Sequence, residues 1–210
     1  HPFFAAPYLP RTGRFGMPGM LEVLPRIAEL WRTRRDDLVD TAERVADAVS
    51  RVTDVSSGED LSASVMDRAY RHLRAAFDSA RGGFGTAPKF PAPHQLLLLL
   101  RYWKRTGAED ALSMVETTLS AMRRGGIYDQ LGSGFHRYST DAEWLLPHFE
   151  KMLYDQAMHV MALVEARLAT GRRSYERTAR ETIDYVLRDL TGETGAFYSA
   201  EDADSEAVEG

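Results

Sequence analysis

Three glycine-rich segments ending in aromatics close alternate helical stretches, and no other feature restricts the architecture as much. They are Gly82-Gly83-Phe84-Gly85, Gly125-Gly126-Ile127-Tyr128, and the run from Gly192 to Gly195 followed by Ala196-Phe197-Tyr198. Such echoes predict a repeat of helical hairpins. The first two lie 43 residues apart, enough for one helix pair with its turns, and the next interval of 70 is longer by about one extended loop. Glycine at these points permits a left-handed C-terminal cap, with the following aromatic folded back over the last turn. Between them, apolar residues at helical spacing predict helices over about 61 to 80, 93 to 105, 108 to 123, 147 to 170 and 174 to 190, with no strand alternation. The body is therefore expected to be all-α.

Ahead of that body, residues 1 to 19 carry four prolines and three glycines. This suits one short extended piece around Phe3 and Phe4 and otherwise irregular backbone. Two helical patterns follow, over about 20 to 31 (Leu21, Leu24, Ile27, Leu30, Trp31) and about 38 to 52, before Ser56, Ser57 and Gly58 mark a break. A module boundary is expected near 54 to 60. Pro147 suits a first helical turn and predicts a helix start there. Counted at about 100° per residue from His148, the apolar side chains of that helix spread nearly all round its axis, while Asp155, Gln156 and His159 share one arc with His148. This predicts a helix enclosed by protein whose polar stripe faces a wet cavity.

Residues 125 to 156 hold two histidines, several aromatics and seven charged side chains between two helical patterns. A turn between helices needs only a few residues, and a long loop inside a domain usually lids or lines something. Tyr128, Phe135, Tyr138 and Trp144 supply flat surface, and Asp129, His136, Arg137, Asp141, Glu143, His148 and Glu150 supply groups that move protons or hold hydroxyls. A second acidic run, Glu201, Asp202, Asp204 and Glu206, lies near the end. Sugar hydrolysis or isomerisation needs one proton donor and one acceptor on either side of the reacting carbon, and both are available. Acidic runs are more often solvated faces, and a lone histidine such as His72, His94 or His159 is more often a hydrogen-bonded core residue. On a helix His148 and Glu150 would point about 200° apart, which argues against a paired zinc site. Lys89, between Pro88 and Pro91, has a fixed exit direction that suits a buried carboxylate partner slightly better than a ligand.

Composition removes several classes of function. A net charge of −5 with mixed signs gives no basic stripe for nucleic acid. The longest aliphatic run, Leu96 to Leu100, is far short of a membrane span, and no leader opens the chain, so a cytoplasmic protein is expected. Zero cysteines exclude a disulfide, a thiolate metal site and a thiol nucleophile within these 210 residues. The start at His1 without Met and the stop at Gly210 after an acidic run read as cut ends.

Three motifs in order, GGFGTAPKFP (82 to 91), GGIYDQLGSGFHRYSTDAEWLLPHFEKMLYDQA (125 to 157) and GAFYSAEDADSE (195 to 206), resemble the spermatogenesis-associated, thioredoxin-domain-containing family. The resemblance covers about 60 to 210, and residues 1 to 52 resemble the tail of that family's thioredoxin-like module. Ser133 departs from a common third glycine, and Ala5 to Pro10 departs from a Gly-Gly-Thr-Tyr-Phe-Pro-like segment. The resemblance implies residues 1–55 as the tail of a thioredoxin-like α/β domain with a linker helix, its cysteine pair lying before His1. It implies residues 56–210 as the first part of an (α/α)6 toroid similar to six-hairpin glycosidases and N-acylglucosamine 2-epimerases. The fold class expected is mainly α, a partial (α/α)6 toroid after that tail.

The function expected is acid/base chemistry on a carbohydrate, as a glycoside hydrolase or sugar epimerase. Glu150 or Asp202 pairs with His136 or His148 as the catalytic groups. Asp129, Arg137, Tyr138, Trp144, Lys89, Tyr128 and Asp204 bind a small sugar-like substrate. No metal or other cofactor is expected, and neither nucleic acid nor membrane is a partner; the upstream thioredoxin-like domain is. Two alternatives remain: a thiol-disulfide redox protein using cysteines upstream of His1, and a non-catalytic module that holds a sugar or peptide.

Overall fold

Helical periodicity is realised nearly everywhere the sequence carries it. The computed structural model describes residues 2–6, 8–14, 16–53, 62–205 and 208–209, so the expected break near 54 to 60 and Glu206 lie outside the described residues. The chain divides into two compact units, His1–Leu61 and Ser62–Gly210. In the first, α1 (Met20–Thr33) and α2 (Arg35–Thr53) pack against each other. The Glu22 carboxylate accepts from the backbone N–H of Gly13 and Gly19 at 3.1 and 3.2 Å, tying the proline-rich lead-in to the first helical turn. The extended piece around Phe3 and Phe4 joins no ladder among the described residues.

The second unit runs α3 (Ser64–Ala76), α4 (Pro93–Thr106), α5 (Glu109–Arg124), α6 (Leu153–Thr170) and α7 (Arg173–Asp189). The leucine run makes α4 its centre: Leu96, Leu97, Leu99 and Leu100 are buried in one core with Val115, Leu119 and Met122 of α5 and Ala162, Leu163 and Ala166 of α6. Each such leucine contributes roughly 1.5–3 kcal/mol. Helix α4 accordingly packs on both α5 and α6, and α6 on α7.

Two expectations about helix ends need correcting. The recurrent glycines are not left-handed caps, because α3 ends at Ala76, before Gly82, and Gly125 after α5 is extended (φ −80°, ψ 175°). The left-handed caps are Gly107 and Gly171, at φ 74° and 72°. The glycine segments instead close three copies of one small loop, bridging Phe77 to Phe84, Tyr128 to Phe135 and Thr191 to Phe197. In each, the residue after the first bridge partner donates its N–H to the carbonyl just before the second: Asp78 to Gly83 (2.9 Å), Asp129 to Gly134 (3.0 Å) and Gly192 to Ala196 (2.8 Å). The repeat is present, but Gly83 corresponds to Gly134 and not to Gly126.

The second correction is at Pro147. Strand β1 (Tyr138–Ser139) pairs antiparallel with β2 (Pro147–His148), and β3 (Lys151–Met152) with β4 (Ala200–Glu201), so α6 begins only at Leu153. The Leu153 N–H donates to Ser199 O at 2.9 Å, so a segment some forty-five residues downstream satisfies the start of this helix. A last pair, β5 (Asp204–Ser205) with β6 (Val208–Glu209), closes the described chain. Nor is α6 enclosed, since Met161, Val164 and Leu168 are 48, 45 and 80% exposed.

Candidate functional site

The loop repeat separates scaffold from site. In the first copy Asp78 Oδ1 accepts from the N–H of Ala80 and Arg81, both at 3.0 Å, and Oδ2 accepts from Lys89 Nζ at 2.8 Å. In the second Asp129 Oδ1 accepts from Leu131 and Gly132 (2.9 and 2.8 Å), and Oδ2 from Lys151 Nζ at 2.8 Å. Each lysine also donates to the carbonyl two residues before the second bridge aromatic, Lys89 to Gly82 O (3.0 Å) and Lys151 to Ser133 O (3.2 Å). A motif repeated in two loops is a closure device. The Lys89 hydrogen bond holds the Asp78 carboxyl below its ordinary range. Burial pushes Asp129 up, but Lys151 and the two backbone N–H groups outweigh it and hold it at about 2. Lys89, fully buried, completes its three bonds on Ala142 O at 3.0 Å. Asp129 and Lys89 are thus committed to the loops, and Ser133 stands at φ 68°, where glycine would be at ease.

Two predicted ring surfaces are also interior. Trp144 is fully buried, donates Nε1–H to Arg81 O and Gly82 O (3.1 and 3.3 Å) and lies 5.3 Å under Lys89 Nζ. A Cβ on Gly83, at φ 80°, would sit 2.4 Å from the Trp144 ring, which is why glycine stands there. Tyr128, buried, meets Phe135 edge-on and donates its hydroxyl to Glu181 at 3.0 Å. Asp141 takes the N–H groups of Glu143, Leu145 and Leu146 (2.8, 3.1 and 2.7 Å) and shapes the turn that carries Trp144. None of these offers a free face to a ligand.

What remains accessible sits on the paired strands before α6. His148 Nε2 lies 4.0 Å from Glu150 Oε2, which is 2.7 Å from Arg137 Nη1, with side chains 30, 20 and 40% exposed. The helix-based expectation that His148 and Glu150 diverge is therefore wrong. Residues two apart on extended backbone point the same way. Tyr138 stacks on His148 (5.0 Å, 20°) and leans on Phe90 (4.9 Å), whose ring is half exposed. The ladder ends at the Lys151–Glu201 pair, and Glu150 and Asp202 are the next residue beyond it on each strand. Asp202 and Asp204 are exposed, and the Asp204 N–H donates to Asp202 Oδ1 at 3.2 Å. His136 is apart from this group: 7% exposed, with Nδ1 3.2 Å from Phe149 O. Burial and the nearby Lys151 charge hold its pKa below the ordinary value.

The polar arc of α6 faces the loop and not an open cavity. Gln156 takes the Phe135 N–H at 2.8 Å and donates to Phe135 O at 2.7 Å, and His159 stacks on the Phe135 ring at 4.0 Å. Sequence reasoning left three residues out of the site. Lys151 and Tyr185 are held beside Glu201, the Tyr185 hydroxyl donating to it at 2.6 Å. Asp155 keeps Oδ2 buried without a partner, and burial, helped by Glu150 and opposed by Arg137, pushes its carboxyl up to about 6. The arc flagged Asp155 but not its withdrawal from water. A cleft of about 570 Å³ lined by Arg81, Glu116, Arg124, Glu143 and Arg172 contains none of the His148 group. Among the described residues no cluster of three or more His, Cys, Asp or Glu is disposed to hold a metal ion, and no helix is long and apolar enough to cross a membrane.

Comparison with known proteins supports the resemblance drawn from the three motifs. Residues 1–50 match the Thioredox_DsbH family model, described as "Protein of unknown function, DUF255". The chain is 40% identical over 213 residues, covering 97% of itself, to Spermatogenesis-associated protein 20 of Homo sapiens, and 34% identical to Uncharacterized protein B0495.5 of Caenorhabditis elegans. It spans 27 and 29% of the length of these two relatives. Among solved structures it is similar to cellobiose 2-epimerase from Bacillus thermoamylovorans B4167 (TM-score 0.58, 15% identity, 66% of this chain and 40% of that one). It is likewise similar to a sugar epimerase from a ruminal bacterium (TM-score 0.57, 16% identity, the same coverage). At such identities the likeness shows the fold alone: a mainly α chain forming part of an (α/α)6 toroid.

Proposed function

We propose that the helical unit contributes part of a carbohydrate site that works by acid/base chemistry, of glycoside hydrolase or sugar epimerase type. Residues 56–210 are the first part of the toroid in this reading, and residues 1–55 are the tail of a thioredoxin-like domain whose remainder packs upstream as its partner. One observation carries it: Arg137, Glu150 and His148 form a continuous, partly exposed chain of charged and titratable groups, and the first copy of the loop has no counterpart to it. Glu150 and His148 exchange protons with the substrate, Asp202, one residue beyond the Lys151–Glu201 pair, assists, Arg137 orients the Glu150 carboxylate, and Phe90 with Tyr138 edges the sugar ring. The likeness to epimerase folds supports the substrate class by analogy. His136, Asp204 and the interior groups Asp129, Lys89, Tyr128 and Trp144 support the site from behind or beside it.

The test uses the full-length protein with D-mannose and cellobiose as epimerisation probes and an aryl glucoside as a hydrolysis probe. Glu150→Gln and Asp202→Asn, made singly, are each expected to lower turnover at least a hundredfold with Tm within a degree or two of the parent. Parental turnover in both variants would remove the proposal. A second reading, thiol-disulfide exchange by cysteines before His1, is favoured by the Thioredox_DsbH match over residues 1–50. Insulin reduction by the full-length protein, abolished on replacing those cysteines, would establish it.

A further inference from the structure

The cleft of about 570 Å³ along α5 takes no part in the His148 group, and its walls come from four separate stretches of the helical unit. Two ion pairs tie them together. Arg81 Nε meets Glu143 Oε1 at 2.8 Å, joining the first loop to the turn that carries Trp144, and Arg172 Nη2 meets Glu116 Oε1 at 2.9 Å, joining the α6–α7 turn to α5. The Arg81 backbone is held on both sides: its N–H donates to Asp78 Oδ1 at 3.0 Å and its carbonyl accepts from Trp144 Nε1 at 3.1 Å. Gly125, which also lines the cleft, lies against the Trp144 carbonyl, and a Cβ there would stand 2.4 Å from that oxygen. Walls fixed in this way need little further ordering when a ligand enters.

The lining decides what such a ligand is. Three arginines and two glutamates face the cleft, a surplus of one positive charge in a chain whose net charge is −5. The negative end of α5, worth about half a charge, reduces that surplus without reversing it. The surplus cation is Arg124: its Nε donates to Ser120 O at 3.2 Å, and among the described residues no carboxylate pairs with its guanidinium. That planar fork fits a carboxylate or a phosphate. Ser113, Thr117 and Ser120, at i, i+4 and i+7 on one face of α5, also line the cleft. Their hydroxyls have no hydrogen-bond partner among the described residues. The buried Thr118 of the same helix, outside the cleft, is by contrast fully engaged, donating to Met114 O and accepting from the Gly83 N–H, both at 2.8 Å. Thr117 and Arg124 lie seven residues apart, roughly 10 Å along the axis, which is the reach of a hexose with a charged substituent.

We infer that this cleft binds a hexose-sized polyol carrying an oxyanion, either a carboxylate or a phosphate. Arg124 holds the anion, Thr117 and Ser120 exchange hydrogen bonds with the ring hydroxyls, and Glu116 and Glu143, each neutralised by its arginine, accept from the remaining ones. The volume is that of a small-molecule site. Because the cleft shares no residue with the His148 group, it stands independently of the acid/base reading above.

The experiment is calorimetric titration of the full-length protein, at low ionic strength so that charge is little screened, with D-glucuronate and D-glucose 6-phosphate. D-glucose and inorganic phosphate are the controls. At least one of the two sugar anions is expected to bind tenfold or more tighter than either control, and which one does so tells carboxylate from phosphate. Arg124→Gln, at an exposed position, is expected to weaken that binding tenfold or more. Thr117→Val, which keeps the shape of the side chain, is expected to weaken it threefold or more, with Tm preserved in both variants. Glucose binding as tightly removes the role of the anion, and phosphate binding as tightly means an adventitious ion only; either overturns the site. So does parental affinity in Arg124→Gln or in Thr117→Val, and so does failure of both sugar anions to bind. None of these results bears on turnover at Glu150 and Asp202, so the two readings fail separately.

Discussion

Asp155 and His159 show how one helical turn can hold opposing responses to pH. Burial raises the Asp155 carboxyl to about 6, so between about pH 4 and 6 the folded state holds a proton the unfolded chain has lost, and Asp155 costs stability as pH rises through that window. Burial lowers His159 to about 4, so its contribution is complete above about pH 6.5 and is lost as pH falls toward 4. The two nearly cancel. Asp155→Asn is therefore expected to raise stability at pH 7 by about 1–2 kcal/mol, after allowing for the partial exposure of the side chain. It is also expected to steepen the loss of stability from about pH 6.5 down to 4, where His159 then acts alone. Urea midpoints measured across that range check both signs, and a slope matching the parent would contradict the assignment. Asp129 behaves oppositely to Asp155: held at about 2, it stabilises above about pH 4 and loses that effect only in strong acid.

At the scale of the element, the loop from α5 to α6 is stabilised from both ends of the chain around it. Gln156 bonds both backbone groups of Phe135, and Ser199 O takes the first N–H of α6. Gln156→Ala leaves two buried backbone groups unpaired and is expected to cost roughly 2 kcal/mol. It should also speed amide exchange at Phe135 while α4 and α5 remain protected; exchange by NMR decides it, and an unchanged Phe135 amide would mean another group holds the loop. The helices were legible because each carries its own periodicity, whereas the burial of α4 on more than one side was not read from its leucine run. The start of α6 was not legible, because Pro147 fits a first helical turn as well as it fits β2, and the choice is made by pairing with Tyr138–Ser139 and, some fifty residues downstream, with Ala200–Glu201. The same error turned His148 and Glu150 away from each other. The glycine echo revealed a repeat but not its register, since the corresponding residues are the aspartate, lysine and bridge aromatics and not the first glycine pair.

At the scale of the whole helical unit, α6 and α7 pack on each other but each keeps an apolar face exposed among the described residues. Val164 and Leu168 of α6 and Ile183 of α7 line one groove, and these with Leu187 are 45, 80, 41 and 57% exposed. This 210-residue chain is expected to self-associate, and Leu168→Lys with Leu187→Lys to reduce that association without loss of helicity; light scattering and circular dichroism measure the two, and equal scattering would exonerate the face. By itself the sequence determined the mainly helical class, the partition into a proline-rich lead-in and a helical body, and the segment in which charged and aromatic groups concentrate, because periodicity, helix-breaking residues and composition are local properties. Only the tertiary structure decided which of those groups close loops and which stay open. Asp129 and Glu150, or Trp144 and Tyr138, are alike as residue types, and they differ in whether a lysine, a carbonyl or a packed glycine from elsewhere in the chain has already taken their contacts.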